Sequence, residues 1–249
     1  MNNSSPTTHH LPPKTIFVVI PCFNEEESIK EVLEEIKKAS ETYDDTWQSV
    51  VVNDCSTDNT QIEAEKIPNT KVLNLTVNLG VGGAVQTGFI FCSQKKADYV
   101  VKLDGDGQHK PSEIELLLKP LFEDKADIVI GSRFLDKGEG YKSSFFRRMG
   151  IRMLEFVCKL LTGKRVSDPT SGFRAYNTKA IAFMTENYPS FDYPEPEEVV
   201  LATKNNLRLV EVPVSMRERK TGKSSISFFG SFYYMIKVIL SMLFIKLRK

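Results

Sequence analysis

The ordered pattern of the chain begins at 15–20, Thr-Ile-Phe-Val-Val-Ile, a run that is β-branched and apolar on both faces. Such a run reads as a strand buried in a largely parallel sheet, since alternation is expected only where one face meets water. Pro21 closes it. Ile29, Val32, Leu33 and Ile36 then recur at helical spacing, which predicts a helix to about Ser40 with Asn24 as N-cap and Glu27 in the capping-box position. The same alternation continues with a strand over 47–52, a helix carrying Ile62 and Ala64 capped by Asp58 or Thr57, and a strand over 71–76. A helix through Phe91 follows, then a strand over 97–103, a helix with Ile114, Leu117, Leu118 and Leu121, and a strand over 127–130. Strand, polar loop, helix, repeated in this way, predicts an α/β domain with a mixed, mostly parallel sheet flanked by helices.

After Arg133 the character changes. Arg147, Arg148, Arg152, Lys159, Lys164 and Arg165 stand among apolar residues over 142–165, opposed only by Glu155. This predicts a basic amphipathic helix, with either a solvated charged face or a surface that meets phosphates or an anionic membrane. The loop 167–174 is dense in turn formers and carries Asp168 and Arg174, which can pair with each other or face a cleft. Residues 192–198 are expected to cap a further helix, 207–214 to form a last strand, and 216–225 to supply a flexible, cationic, hydroxyl-bearing loop suited to a phosphate. The most apolar stretch, 228–245, makes a helix about 27 Å long, short of a bilayer core and carrying Lys237 near its middle. It reads as an amphipathic helix that associates with a membrane or docks a partner. The expected organisation is therefore a disordered tail over 1–14, a catalytic-size domain over 15–226 and this C-terminal helix over 227–249.

Candidate chemistry concentrates where the strands end. Asp104-Gly105-Asp106-Gly107-Gln108-His109 puts two carboxylates one residue apart on a glycine-closed turn, and Gln108 offers a third oxygen. Mg²⁺ and Mn²⁺ commonly take one or two carboxylates and leave the other positions to water and substrate phosphate. An EF-hand register from Asp104 fails because His109 replaces the required glycine and Pro111 interrupts. Asp54, at the tip of the second strand, has no evident structural job once Asp58 or Thr57 caps the next helix. The glycines of 80–83 fit a dinucleotide fingerprint poorly and are expected to let a backbone or ligand approach closely. In open α/β sheets ligands bind beyond the carboxyl ends of the strands, and Asn24, Asp54, Asp104, Asp106 and Arg133 all fall there.

Composition narrows the partners. The formal net charge of +1 over 249 residues points to no global polyanion partner, so no nucleic acid is expected. Cys22, Cys55, Cys92 and Cys158 are scattered and form no Cys-x-x-Cys pair, pointing to a reducing compartment. Residues 1–13 carry no charged-then-apolar signal, consistent with a cytoplasmic protein.

Together, Pro21-Cys22-Phe23-Asn24-Glu25, Asn53-Asp54-Cys55-Ser56-Thr57-Asp58, Asn78 with its glycines, the Asp104 to His109 motif and Gly131-Ser132-Arg133 resemble family 2 glycosyltransferases of the GT-A (Rossmann-like) fold. Asp168 to Arg174 and Arg219 to Ser224 are most similar to the dolichyl-phosphate mannose synthase and polyprenyl-phosphate hexosyltransferase branch. The resemblance implies that Pro21, Asn24, Glu25, Asp54 and Asp104 hold a UDP- or GDP-sugar, with Asp54 near the base. It further implies that Asp104, Asp106 and Gln108 bind Mg²⁺ or Mn²⁺, that Arg133 joins Asp104 and Asp106 in catalysis, and that Arg133, Arg148, Arg219 and Ser224 contact donor or lipid phosphates. The implied reaction is an inverting, metal-dependent transfer of a hexose to undecaprenyl or dolichyl phosphate by a protein peripheral on the inner face of the membrane. A saccharide-hydroxyl acceptor in cell-surface polysaccharide synthesis is the alternative, with Asp192 or Glu195 as base, followed by a non-catalytic membrane-recruiting module. Many bacterial relatives continue into two transmembrane helices where this chain has one marginal stretch, which implies a small integral membrane partner.

Overall fold

The computed structural model describes residues 13–135, 145–189, 194–217 and 228–248. Most of the expected tail, together with Asp192, Arg219 and Ser224, lies outside the described residues. Strands β1 (Thr15–Cys22), β2 (Thr46–Asn53), β3 (Thr70–Asn74), β4 (Tyr99–Lys102), β5 (Ile128–Ser132), β6 (Arg174–Asn177) and β7 (Leu209–Pro213) make one seven-stranded sheet in the order β3-β2-β1-β4-β6-β5-β7. All neighbours pair in parallel except β6, which runs antiparallel to both β4 and β5. The helices are α1 (Ile29–Ser40), α2 (Thr60–Glu65), α3 (Gly80–Gln94), α4 (Ile114–Phe122), α5 (Phe145–Thr162), α6 (Thr178–Asn187), α7 (Glu195–Lys204) and α8 (Phe228–Leu247).

Both sheet faces are covered, which is why β1 shows no polar alternation. Ile16, Val18 and Ile20 enter the core shared with α1 and α4, while Phe17 and Val19 enter the one shared with α3 and α6. Gly88 lets α3 lie against β1, since a Cβ there would stand 2.4 Å from Val19 Cγ1. A third cluster joins α5, α7 and α8 through Leu154, Cys158, Val199, Val200, Val238 and Met242. Lys204 Nζ, at the end of α7, donates to the carbonyl of Ile245 at 2.9 Å and also meets that of Arg248, holding the last turn of α8. Among the described residues, no helix is long and apolar enough to cross a membrane.

Two local expectations are corrected. Helix α1 starts at Ile29 with Ser28 at its N-cap, and Asn24 instead adopts a left-handed φ of 58°, a region Asn tolerates. Its side chain is used elsewhere, as described below, so the Asn24 and Glu27 capping arrangement does not form. The loop expected over 167–174 ends in a strand, and β6 with α6 follows where no element was anticipated.

Candidate active site

Strand order reverses at β1, with β2 on one side and β4 on the other. Loops leaving β1 and β4 therefore diverge and open a crevice at their carboxyl ends. The end of β1, which continues through Pro21 to Cys22, and the loop after it bring Pro21, Asn24 and Glu25 to this crevice, β2 brings Asp54, and β4 brings Asp104 and Asp106. Because β6 is antiparallel, its leading loop, 168–173, reaches the same edge.

The loops are tied together by side chains. Asn24 Oδ1 accepts from the Thr57 backbone N–H at 2.8 Å, and Asn24 N–H donates to Ser56 Oγ at 3.0 Å. Glu25 N–H donates to Thr60 Oγ1 at 2.8 Å, while Glu26 Oε2 accepts from Asn59 N–H at 2.9 Å. Asp58 accepts from the Thr60 N–H at 3.0 Å, the anticipated service to the start of α2. Ser28 Oγ bridges Glu25 Oε2 at 3.1 Å and the Gly105 carbonyl at 2.7 Å, joining the β1 loop to the acidic turn. Burial, then the surrounding carboxylates of Glu25, Asp104, Asp58 and Asp106, pushes the Cys22 thiol well up, so it stays protonated and packs as an apolar group under Gly105.

Asp54 does have a structural role, contrary to expectation. Its Oδ1 accepts from the Leu79 N–H at 2.7 Å and its carbonyl from Asn78 Nδ2 at 3.1 Å, fixing the start of α3 against β2. Only 3% exposed, it is bound into the framework of the crevice.

The acidic turn carries two partly exposed carboxylates. Asp106 Oδ1 accepts from the Gln108 N–H at 3.0 Å. The Asp104 side chain is 38% exposed, and His109 Nε2 lies 3.3 Å from its Oδ2. Burial works to raise the Asp104 carboxyl, but the His109 hydrogen bond and the charges of His109, Lys102 and Arg133 outweigh it and hold it below the ordinary carboxylate range. His109 itself is buried, tilted against the Phe173 ring at 5.0 Å between centroids, with Nδ1 lacking a partner. On the far side Gly172 leaves room for the carboxylate, since a Cβ there would stand 2.9 Å from Asp104 Oδ2. Among the described residues, no three His, Cys, Asp or Glu side chains converge on a metal position. Two hard oxygen donors on an open turn nonetheless fit Mg²⁺ or Mn²⁺, which complete their shells with water and phosphate. The Gln108 side chain turns to the neighbouring strand extension, where Nε2 donates to the Arg217 carbonyl at 3.3 Å and the Gln108 carbonyl accepts from Arg217 N–H at 2.8 Å.

Arg133 and Asp168 form a bidentate pair, Nε to Oδ2 at 2.6 Å and Nη2 to Oδ1 at 2.7 Å, with Nη2 also on Thr170 Oγ1 at 2.8 Å. Glu211 on β7 fixes that loop by accepting from the Ser167 and Asp168 N–H groups at 2.8 and 3.0 Å. The Arg133 side chain is only 5% exposed. Arg148, on α5, is exposed at the surface. Asp168 thus pairs with Arg133, and Arg174 goes elsewhere.

Beneath the turn lies a buried charge layer that the sequence did not announce. Lys102 and Arg174 are direct cross-strand partners on β4 and β6, and both are fully buried. Two adjacent cations repel, and α7 supplies the counter-charges. Glu195 Oε1 accepts from Lys102 Nζ at 2.7 Å, and Glu198 Oε2 lies 3.2 Å from Arg174 Nη1. Arg174 also donates to the carbonyls of Ser171, Pro169 and Glu195, each at 2.9 Å, so it anchors the 168–173 loop to the start of α7. Basic residues inside two short strands, and acids three apart on a helix, were the available signal.

Residues 17–183 match the family described as Glycosyl transferase family 2. The chain belongs to this family. A UDP-N-acetylglucosamine–dolichyl-phosphate N-acetylglucosaminyltransferase from Methanococcus voltae is 31% identical over 81% of this chain and 85% of its own length. An undecaprenyl-phosphate mannosyltransferase from Micrococcus luteus is 30% identical over 85% of this chain and 87% of its own length. In fold, the chain is similar to glucosyl-3-phosphoglycerate synthase from Mycobacterium tuberculosis, solved with Mn²⁺, UDP and glucosyl-3-phosphoglycerate, at a TM-score of 0.70 and 20% identity over 94% of this chain and 80% of that one. The protein is a glycosyltransferase with a GT-A-like sheet, and its family 2 membership covers the crevice from β1 through α6.

Proposed function

We propose that this family 2 glycosyltransferase moves a hexose, with inversion, from a nucleotide sugar to a polyprenyl phosphate at the cytoplasmic face of a membrane. The observation that carries the reading is the Asp104/Asp106 turn, open at the switch-point crevice with Asp104 held ionised, in a chain whose relatives are named for dolichyl- and undecaprenyl-phosphate transfer. Pro21, Asn24, Glu25 and Asp54 would line the nucleotide's side of the crevice. Asp104 and Asp106 would hold Mg²⁺ or Mn²⁺, whose charge stabilises the departing nucleoside diphosphate; Gln108 would assist only after releasing Arg217. Arg133, Arg148, Arg219 and Ser224 are the groups proposed to meet donor or acceptor phosphate, Arg133 with its orientation set by Asp168.

A polyprenyl phosphate is ionised at neutral pH, so the protein's task is to position its oxygen rather than remove a proton. The engagement of Glu195 by Lys102 supports this over a hydroxyl acceptor, because the carboxylate is already neutralised by a buried ammonium. Thermal stability measured with UDP, GDP, dTDP and CDP, each with and without Mn²⁺, tests the reading. One nucleotide should give a Mn²⁺-dependent rise, lost in Asp106→Ala, since ligand at 100 times its dissociation constant stabilises by about 2.7 kcal/mol. That nucleotide's sugar should then label undecaprenyl phosphate; no metal-dependent shift with any nucleotide would sink the proposal.

A further inference from the structure

A cavity of about 470 Å³ lies between α1 and the start of α4, within the range of small-molecule sites. Tyr43 and Trp47 line it with ring centroids 5.1 Å apart. Trp47 is the second residue of β2, so the rings stand toward the amino end of that strand, away from the carboxyl edge that opens the crevice. Trp47 is only 8% exposed, yet its Nε1 and the Tyr43 Oη, both buried, have no hydrogen-bond partner among the described residues. A buried donor left unpaired is costly, so both groups call for an acceptor. Burial, then the carboxylates of Glu115 and Asp45, pushes the Tyr43 phenol up to about 12, and at neutral pH it keeps the proton it would donate.

The charged lining decides what kind of ligand fits. Glu35 and Glu115 balance Lys38 and Arg217, and Arg217 Nη1 lies 2.7 Å from Glu35 Oε1. A ligand of either sign would meet its like charge as well as its opposite, and an apolar ligand would leave the two aromatic donors unpaired. A hydroxyl both donates and accepts, so a neutral polyol can serve the indole and phenol on one side and the carboxylates on the other. We infer that this cavity is an accessory site for a neutral saccharide, a pyranoside ring whose C–H face lies against Tyr43 and Trp47 and whose hydroxyls pair with Trp47 Nε1, Tyr43 Oη and the Glu115 carboxylate. It is separate from the donor sugar's place in the crevice and does not rest on the identity of the acceptor. Arg217 links the two. Its side chain lines the cavity, while its N–H donates to the Gln108 carbonyl at 2.8 Å and its carbonyl accepts from Gln108 Nε2 at 3.3 Å. Gln108 N–H in turn donates to Asp106 Oδ1 at 3.0 Å, so occupancy of the cavity reaches the acidic turn through one residue.

Trp47 is the chain's single tryptophan, so its indole N–H gives a nuclear magnetic resonance signal of its own. The full chain, labelled with ¹⁵N, is titrated with methyl glucoside, methyl mannoside and methyl N-acetylglucosaminide, with glycerol as the control polyol. At least one glycoside should move the indole signal saturably where glycerol does not. Tyr43→Phe, which keeps the ring and removes the hydroxyl, and Glu115→Gln, at an exposed position, should each weaken that binding at least fivefold while the protein stays folded. No saturable movement with any of the three glycosides would overturn the site, as would equal movement with glycerol or unchanged affinity in both variants. The backbone amide signals of Arg217 and Gln108 should shift along the same titration, and amides that stay still while the indole moves would overturn the link to the acidic turn. No nucleotide is present, so failure here is distinct from failure of the transfer reading.

Discussion

Gly172→Ala isolates the part of the site that no local motif marks. The added Cβ would stand 2.9 Å from Asp104 Oδ2, 3.0 Å from Oδ1 and 3.3 Å from Cγ, so the carboxylate must retreat by about 0.5 Å to reach ordinary contact. The backbone of Gly172 does not occupy the left-handed region, so alanine brings no conformational strain there. The obstacle is the free end of one short side chain, and stability should change by no more than about 1 kcal/mol, a few degrees in melting temperature for a domain of this size. Metal geometry is less forgiving, since ligand distances hold to about 0.2 Å. A displacement near 1 Å at a reacting centre costs about a hundredfold, so a shift of half that size should lower Mn²⁺ affinity and kcat/KM by roughly ten- to thirtyfold. The assay is Mn²⁺ titration of nucleotide-dependent stabilisation, with single-turnover transfer as the functional readout. A folded Gly172→Ala protein with wild-type Mn²⁺ dependence, within about twofold, would refute the placement of Asp104 as a metal ligand.

Two further outcomes follow from the buried charges. Replacing Lys102 with Met strands the Glu195 carboxylate and should cost about 3 kcal/mol in urea unfolding, whereas Lys102→Met/Glu195→Gln should recover part of that loss. The double variant should also keep transfer to a polyprenyl phosphate within about tenfold of wild type, because a missing general base would cost at least about a hundredfold. At the opposite sheet edge Asp127 is 1% exposed and accepts from Arg208 N–H and Nη2 at 2.8 and 3.0 Å, from Asn177 Nδ2 at 2.9 Å and from Lys179 Nζ at 3.1 Å. Burial favours its neutral form, but these donors outweigh it and lower its folded-state titration. Its contribution is therefore present above the unfolded carboxyl value, near 4, and fades as pH falls through that value toward the lower folded one. The urea midpoint should fall below about pH 4, and Asp127→Asn should cost about 1–3 kcal/mol at pH 7 while flattening the acid limb; an unchanged limb would contradict the assignment.

What could be read from the sequence was what the chain encodes locally. Continuous apolar runs placed β1 and β4, and period-3.6 patterns placed α1 and α4, because each depends on near neighbours, and Asp104-Gly105-Asp106 at a strand end was visible for the same reason. The placements that went astray depend on partners far along the chain. Asn24 looks like an N-cap until Thr57 claims its side chain. Asp54 looks idle until Leu79 donates to it. Strand β6 escaped because Arg-Ala-Tyr-Asn opens with a cation, and a cation reads as a loop unless its counter-charge is known. Glu198, on α7, is that counter-charge. The same charge layer explains how the site is assembled. Arg174 can begin a buried strand only with α7 docked, and only an antiparallel β6 carries the 168–173 loop back to the crevice, where Asp168 orients Arg133 and Gly172 admits the Asp104 carboxylate. The acids of α7 therefore support the acidic turn from beneath, Glu198 through Arg174 and the loop it anchors, Glu195 through Lys102.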